Sequence, residues 1–311
     1  MRVFITGASG WIGSAVVPEL IGAGHQVIGL ARSDAAATAL TRAGAEVRRG
    51  TLDDLDVLRG AAAESDGVIH LAFKHDLAFS GGFENAAEAD RRAIDAFGEA
   101  LAGSDRPLLV ASGTLGLAPG RLATEQDGRA GDPDGAHRSG GPARRLANAQ
   151  ATVALAGRGI RSCVVRLPPT VHGDGDHGFL ATVVAVAREK GVSGYIGDGA
   201  NRWPAVHRSD AARLFRLALQ GAPAGSTVHA VADEGVPIRT VAEVIGRHLD
   251  LPVASVSPDS AAGHFGWLAP FLGMDGPASS AHTRELLGWQ PTGPGLIDDL
   301  EKGGYFTAAS A

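Results

Sequence analysis

The feature that most constrains this chain stands at its start, where Val3-Phe4-Ile5-Thr6 runs into Gly7-Ala8-Ser9-Gly10-Trp11-Ile12-Gly13-Ser14. An apolar run breaks into glycines three residues apart and resumes with Val16, Val17, Leu20 and Ile21 at helical spacing. That order predicts a strand, a tight turn and a helix. Gly7 suits the turn, Gly10 lets a backbone approach a pyrophosphate with no Cβ in the way, and Gly13 lets the helix pack closely on the sheet. The amides of Ser9, Trp11 and Ile12 and the positive end of the helix then face the phosphates. The stretch therefore predicts a nucleotide site, against the plainer reading of a structural glycine turn.

The rest of the chain repeats the alternation. Gln26–Ala31, Ala45–Gly50, Gly67–Ala72 and Leu108–Ser112 read as strands, with helices between them that include a long one from about Glu84 to Ala102. Strands recurring with helical crossovers imply an α/β fold with a doubly wound parallel sheet, and ligands bind beyond the carboxyl ends of such strands. Arg32-Ser33 falls at the end of the second strand, where an acidic residue favours NAD and a basic one NADP. The expectation is NADP(H), with NAD as the alternative. A surface arginine on a loop is the plain reading of the same residue.

The 311 residues carry a formal charge of −6, with 44% hydrophobic and 20% charged residues. This is ordinary globular composition without the basic surface a nucleic acid needs, so nucleic acid is not an expected partner. No apolar run approaches membrane-spanning length and no leader precedes the glycine stretch, which points to a cytoplasmic protein with no membrane partner. The single Cys163 lies in a strand-like run, as a buried inert thiol does.

Several stretches together carry a family likeness. They are Thr6–Gly13, Val68-Ile69-His70-Leu71-Ala72, the hydroxyls after the fifth strand, Val164–Pro168, Val171-His172-Gly173, Gly197-Asp198-Gly199, Val206–Ala212 and the closing Arg284–Thr292. In these the chain resembles the extended or atypical branch of the short-chain dehydrogenase/reductase superfamily, the NAD(P)-dependent epimerase/dehydratase family. The resemblance covers nearly the whole chain. It implies a Rossmann-type domain from 1–167 and 203–232 and a smaller, discontinuous substrate domain from 168–202 and 233–311. It also implies cofactor contacts from Leu52, Leu71, Ala72, Phe73 and Pro168 beside the glycine turn. A homodimer through Glu84–Ala102 and Asn148–Leu155 is a further implication.

Relatives of this kind carry a Ser or Thr after the fifth strand and a Tyr-x-x-x-Lys on the next helix, where lysine and ribose lower the tyrosine pKa for proton exchange. Ser112-Gly113-Thr114 supplies the hydroxyls here. Counting back from Arg166 places Arg145 at the lysine position and Gly141 at the tyrosine position. The two tyrosines, Tyr195 and Tyr305, both lie downstream. Arg145 can hold a ribose but cannot release a proton near neutral pH.

Candidate replacements are His75, His172 and His177, then Tyr195 and a water on Ser112 or Thr114. The histidines titrate near the working pH, although most histidines are merely hydrogen-bonded. His172, Asp174, Asp176 and His177 have metal-ligating side chains, but the glycine-rich loop lacks the spacing of a defined site, and no metal is expected. Arg202 is expected to be free for an anionic group, the alternative being a surface arginine beside a core tryptophan. Ala118–Gly141 reads as a flap, and His264–Leu272 as a lid or core.

Three functions follow. The first is an NADP(H)-dependent oxidoreductase on a small organic carbonyl, imine or alcohol, with Ser112 and Thr114 polarising the reacting group. The second is a redox-neutral epimerase or lyase that retains its nicotinamide. The third is a non-catalytic NADP sensor.

Overall fold

A computed structural model describes residues 1–129 and 140–307 of the chain. Its main sheet contains seven parallel strands, β1 (Arg2–Thr6), β2 (Gln26–Ala31), β3 (Glu46–Arg49), β4 (Gly67–His70), β5 (Pro107–Gly113), β6 (Arg161–Leu167) and β10 (Ser226–His229). Their order is β10-β6-β5-β4-β1-β2-β3. The order reverses beside β1, whose neighbours are β2 and β4, and a crevice opens beyond their carboxyl ends at that point.

The alternation along β1 explains the layers. Val3 and Ile5 face one core and Phe4 the other, all with no exposure, because successive side chains of a strand point to opposite faces. Helices α1 (Gly13–Gly22), α2 (Asp34–Arg42) and α8 (Arg208–Gly221) pack on the Val3 side through Val16, Leu20, Leu40, Leu214 and Phe215. On the Phe4 side lie α3 (Leu55–Ala63) and α5 (Phe83–Leu101), through Leu58, Ile94 and Phe97. The short α4 (His75–Leu77) precedes α5, and α6 (Gly140–Ala154) packs along it.

The other strands form two small sheets. β7 (Thr170–His172), β9 (Arg202–His207) and β11 (Asp233–Pro237) make one, while β8 (Ser193–Ile196) and β12 (Val253–Val256) make the other. Helices α7 (Phe179–Lys190), α9 (Ile238–Leu249), α10 (Ala261–Phe265), α11 (Ala269–Leu272), α12 (Ala281–Leu287) and α13 (Leu296–Glu301) complete the α-helices among the described residues. A second apolar core joins α7, α9, α10, α11 and α13 around Trp203. β9, expected to open the returning Rossmann segment, pairs instead with β7 and β11. α8 and β10 do return to the main sheet.

The closing element docks on α8. Trp289 is fully buried and donates its Nε1–H to the Asp210 carbonyl at 3.0 Å, while Thr292 and Gly293 donate backbone N–H groups to the Asp210 carboxylate. Asp210 therefore anchors the C-terminal segment, and His207 caps α8. The expected flap is only half accounted for, since 130–139 lies outside the described residues. Residues 118–129 are packed down: Ala118 and Ala123 are buried against Val231 and Ala278, and the Glu125 carboxylate accepts from both N and Oγ1 of Thr283. Among the described residues no helix is long and apolar enough to cross a membrane.

Candidate active site

The glycine turn has the geometry its spacing implies. Gly7 takes φ +70°, and a Cβ there would lie 2.8 Å from the Ala72 amide nitrogen. A Cβ on Gly13 would meet the Gly7 carbonyl oxygen at 2.1 Å, so only glycine lets α1 rise this close to the strand. Leu71 and Ala72, expected beside the cofactor, are tied to the turn: Leu71 N donates to Thr6 O and Ala72 N to Thr6 Oγ1. Ser9 and Gly10 are exposed at the mouth. Ile12, at the N-cap, gives α1 no side-chain cap, which leaves the helix's positive end facing outward. A cradle closed to any Cβ, with uncapped amides at its rim, fits a dinucleotide pyrophosphate.

Trp11 clasps this cradle to the smaller domain. Its Nε1–H donates to Val171 O at 2.7 Å, its ring meets His177 edge-on at 5.6 Å, and the Arg208 guanidinium lies 4.3 Å over its face. Leu52, by contrast, is buried in the core with Leu30 and Leu58.

Below the crevice runs a buried polar chain. The Thr6 hydroxyl meets His70 Nδ1 at 2.6 Å, His70 Nε2 meets Asp90 at 3.2 Å, and Asn148 Nδ2 donates to the other Asp90 oxygen at 2.8 Å. Because Thr6 Oγ1 accepts from Ala72, its proton goes to His70 Nδ1, and His70 donates from Nε2. Burial opposes ionisation of Asp90, but the bonds from His70 and Asn148 and the charge of Arg145 hold its pKa below the usual carboxylate value. The sequence reading missed this chain. Its signal was an aspartate inside the apolar stripe Ala86, Ala89, Ala93, Phe97 of α5.

Arg145, on α6 one turn before Asn148, lies 3.8 Å over the Phe73 ring and donates from Nη2 to Ala111 O. Among the described residues its Nη1 is buried without a partner, as is the Thr114 hydroxyl oxygen at the end of β5. Thr114 N donates to Leu167 O, which sets it beside the buried Pro168, while Ser112 is half-buried on β5. Two orphaned polar atoms beside the crevice have the character of groups that meet a ligand. Gly141 at the tyrosine position is also explained, because a Cβ there would lie 2.4 Å from Cδ1 of Phe83. The phenylalanine ring fills the space beside that position.

Of the three candidate histidines, His75 shares this neighbourhood. Its ring stacks on Phe79 and meets Phe73 edge-on; crowding, then the Arg145 charge, lowers its pKa to about 4, although an edge of the residue is exposed. His172 is fully buried, with Nδ1 2.9 Å from Asp299 and Nε2 without a partner, under the smaller sheet. His177 is exposed beside Trp11. Tyr305 holds the glycine-rich loop, accepting from Gly173 N and donating to Asp176, and burial raises its pKa. The Tyr195 ring faces the Arg239 guanidinium. Among the described residues no cluster of three His, Cys, Asp or Glu could hold a metal.

Two expected anion contacts are otherwise engaged. Arg202 makes a two-pronged ion pair with Asp275, at 3.0 and 2.9 Å, so it is not free. At the end of β2, the Ser33 hydroxyl accepts from Ala36 N and caps α2, while Arg32 is exposed and faces Asp76 at 3.8 Å.

The sequence matches the NAD dependent epimerase/dehydratase family over residues 3–231. It is 48% identical to Uncharacterized protein C2A9.02 of Schizosaccharomyces pombe over 98% of this chain and 100% of that one. Identity is 46% with Uncharacterized protein YLL056C of Saccharomyces cerevisiae, over 96% and 98%. With a UDP-glucose 4-epimerase of Streptomyces lividans it is 27%, over 94% and 92%. In fold it is similar to DesIV, a dTDP-glucose 4,6-dehydratase of Streptomyces venezuelae with NAD and TYD bound (TM-score 0.75, 19% identity, 98% and 96% covered). It is also similar to MoeE5 in complex with UDP-glucose and NAD (TM-score 0.72, 21% identity, 96% of each chain). The expectation of NADP(H) is overturned by these relatives, which hold NAD, and the capping role of Ser33 removes half of the pair on which it rested. The match over most of the sequence, the full-length relatives and the glycine cradle agree that this chain belongs to the NAD dependent epimerase/dehydratase family.

Proposed function

We propose that the protein is a redox-neutral enzyme that retains NAD, an epimerase or lyase in which a hydroxyl-bearing carbon of a small organic substrate is oxidised and reduced again within one site. The observation that carries this reading is the Trp11 clasp, which ties the cradle to Val171 and places His177 and Arg208 around it. Contacts across the cradle's rim favour slow release of a dinucleotide laid on that turn. The UDP-glucose 4-epimerase among the full-length relatives supports the same reaction class.

When bound, the nicotinamide supplies the hydride acceptor. The residues of the chain do the rest. Thr114 Oγ1, buried and without a partner, holds the substrate oxygen. His75, stacked on Phe79 with an edge exposed, is the side chain placed to exchange the hydroxyl proton through an imidazole nitrogen. Arg145, spread over Phe73, would hold the ribose of a bound dinucleotide through its Nη1. An oxidoreductase with net turnover is the second reading, favoured by the exposure of Ser9 and Gly10, which leaves the cradle mouth open to exchange.

The test is to denature the purified protein and assay the supernatant for NAD. Near-stoichiometric NAD that survives gel filtration, with hours-long exchange against labelled NAD, is the expected result. Exchange within seconds would reject retention and leave the oxidoreductase.

A further inference from the structure

The carboxyl ends of three adjacent strands meet at one buried carboxylate. Thr6 on β1 stands level with His70 on β4, and His70 with Val110 on β5, whose neighbour Ala111 receives the Arg145 hydrogen bond. Asp90, 3% exposed, joins them from α5 through His70 Nε2 at 3.2 Å. Its two hydrogen bonds come from uncharged groups. Asn148 donates an amide N–H, and His70, whose Nδ1 accepts from Thr6, carries its single proton on Nε2. Neither donor cancels the charge. Burial opposes ionisation of Asp90, but these bonds and the Arg145 charge outweigh it, so a full negative charge sits beneath the crevice.

That charge reaches the candidate reacting groups. Burial lowers the Arg145 pKa and Asp90 works against it; at His75, burial and then Arg145 lower the pKa, and Asp76 and Asp90 act the other way. A charge held out of water is screened little by salt. A nicotinamide ring is cationic when oxidised and uncharged when reduced, because the hydride it accepts brings two electrons with one proton. An anion beneath the crevice therefore favours the oxidised form, and a cation beside it favours the reduced form.

We propose that Asp90 offsets Arg145 and so holds the bound dinucleotide in its oxidised form, NAD, ready to accept hydride from the substrate. This rests on the reading that the nicotinamide end lies at Arg145 and Thr114. A redox-neutral enzyme needs that resting form, since its cycle begins by oxidising the substrate. Asp90 touches neither ligand and is a positioning residue that acts by its charge. Equilibrium dialysis of the parent and Asp90→Asn against a fixed mixture of NAD and NADH, continued until the composition stops changing, gives the bound ratio without turnover. Asp90→Asn should lower the bound NAD:NADH ratio at least ten-fold, equivalent to about 30 mV for a two-electron couple. Thr6→Val breaks the same chain without altering its charge, so it should weaken both forms alike and leave the ratio within two-fold. A ratio within two-fold of the parent's in Asp90→Asn would reduce Asp90 to a structural support and overturn the proposal. Should that variant not fold, Arg145→Gln takes its place: with the anion unopposed the ratio should rise at least ten-fold, and an unchanged ratio overturns the proposal equally. The speed of approach to the plateau reports separately on retention. Fast exchange with the ratio shift intact would sink the redox-neutral reading alone, whereas slow exchange with no shift would sink the role of Asp90 alone.

Discussion

The cradle and the cleft lie side by side and are built on opposite plans. The cradle comes from one run, Thr6 to Gly13, plus the adjoining Leu71 and Ala72, and nearly all its contacts are made by backbone. The cleft is assembled from side chains far apart in the chain, Phe73, His75, Thr114 and Arg145. A pyrophosphate presents the same shape in every dinucleotide, so backbone written in one short stretch can meet it. A substrate differs from enzyme to enzyme, and side chains gathered by the fold meet it.

The largest effect expected is at the cradle. Gly13→Ala should cost about 3 kcal/mol or more and abolish NAD binding, because its Cβ would enter the Gly7 carbonyl. Gly22→Ala at the other end of α1, with nothing within 4 Å, should stabilise by roughly 0.5–1 kcal/mol. Urea unfolding of the pair checks the contrast; equal effects would mean that helix propensity, not close approach, rules the turn. On the cleft side, Thr114→Ala should lower kcat by about 10²–10³-fold with NAD affinity within two-fold, read by steady-state kinetics and calorimetry. A matching loss of NAD affinity would merge the two regions into one.

A third experiment concerns β10, the edge strand of the main sheet. His229 has no exposure, accepts from Arg166 at Nε2 and donates from Nδ1 to Ser279 O, so it is neutral when folded. Burial, then the Arg166 charge, lowers its pKa from 6.5 to about 4. Above pH 6.5 neither state binds the proton; between 6.5 and 4 only the unfolded chain does. Stability should therefore fall by about 3 kcal/mol as the pH drops through that window. Urea midpoints for the parent and His229→Gln, whose slope should be shallower, measure it. The smallest effect belongs to Arg32→Ala, which should change NAD affinity by less than two-fold, since an exposed pair such as Arg32 and Asp76 contributes little. A larger loss would return that arginine to the cofactor.

The two plans also decide what could be read from sequence. The cradle was legible because its glycines, its strand and the stripe of α1 adjoin in the chain, and Val3, Phe4 and Ile5 divide between two cores by simple alternation. Counting back from Arg166 put Arg145 on the helix after β5, and α6 carries it, but its perch on Phe73 was not visible. Arg202 was misread because the carboxylate that engages it, Asp275, is brought in only by folding, and the Arg32-Ser33 pair because Ser33 is drawn into capping α2. The same holds for 118–129, where Thr283 and Ala278 turn an irregular stretch into packed structure.

The contact between Gly141 and Phe83 couples positions far apart in the chain. A methyl at 141 would press on the phenylalanine ring at 2.4 Å, and that ring lies 5.6 Å from Phe73, which carries the Arg145 guanidinium. A side chain gained at 141 therefore displaces Phe83 and, through Phe73, reaches the perch of Arg145.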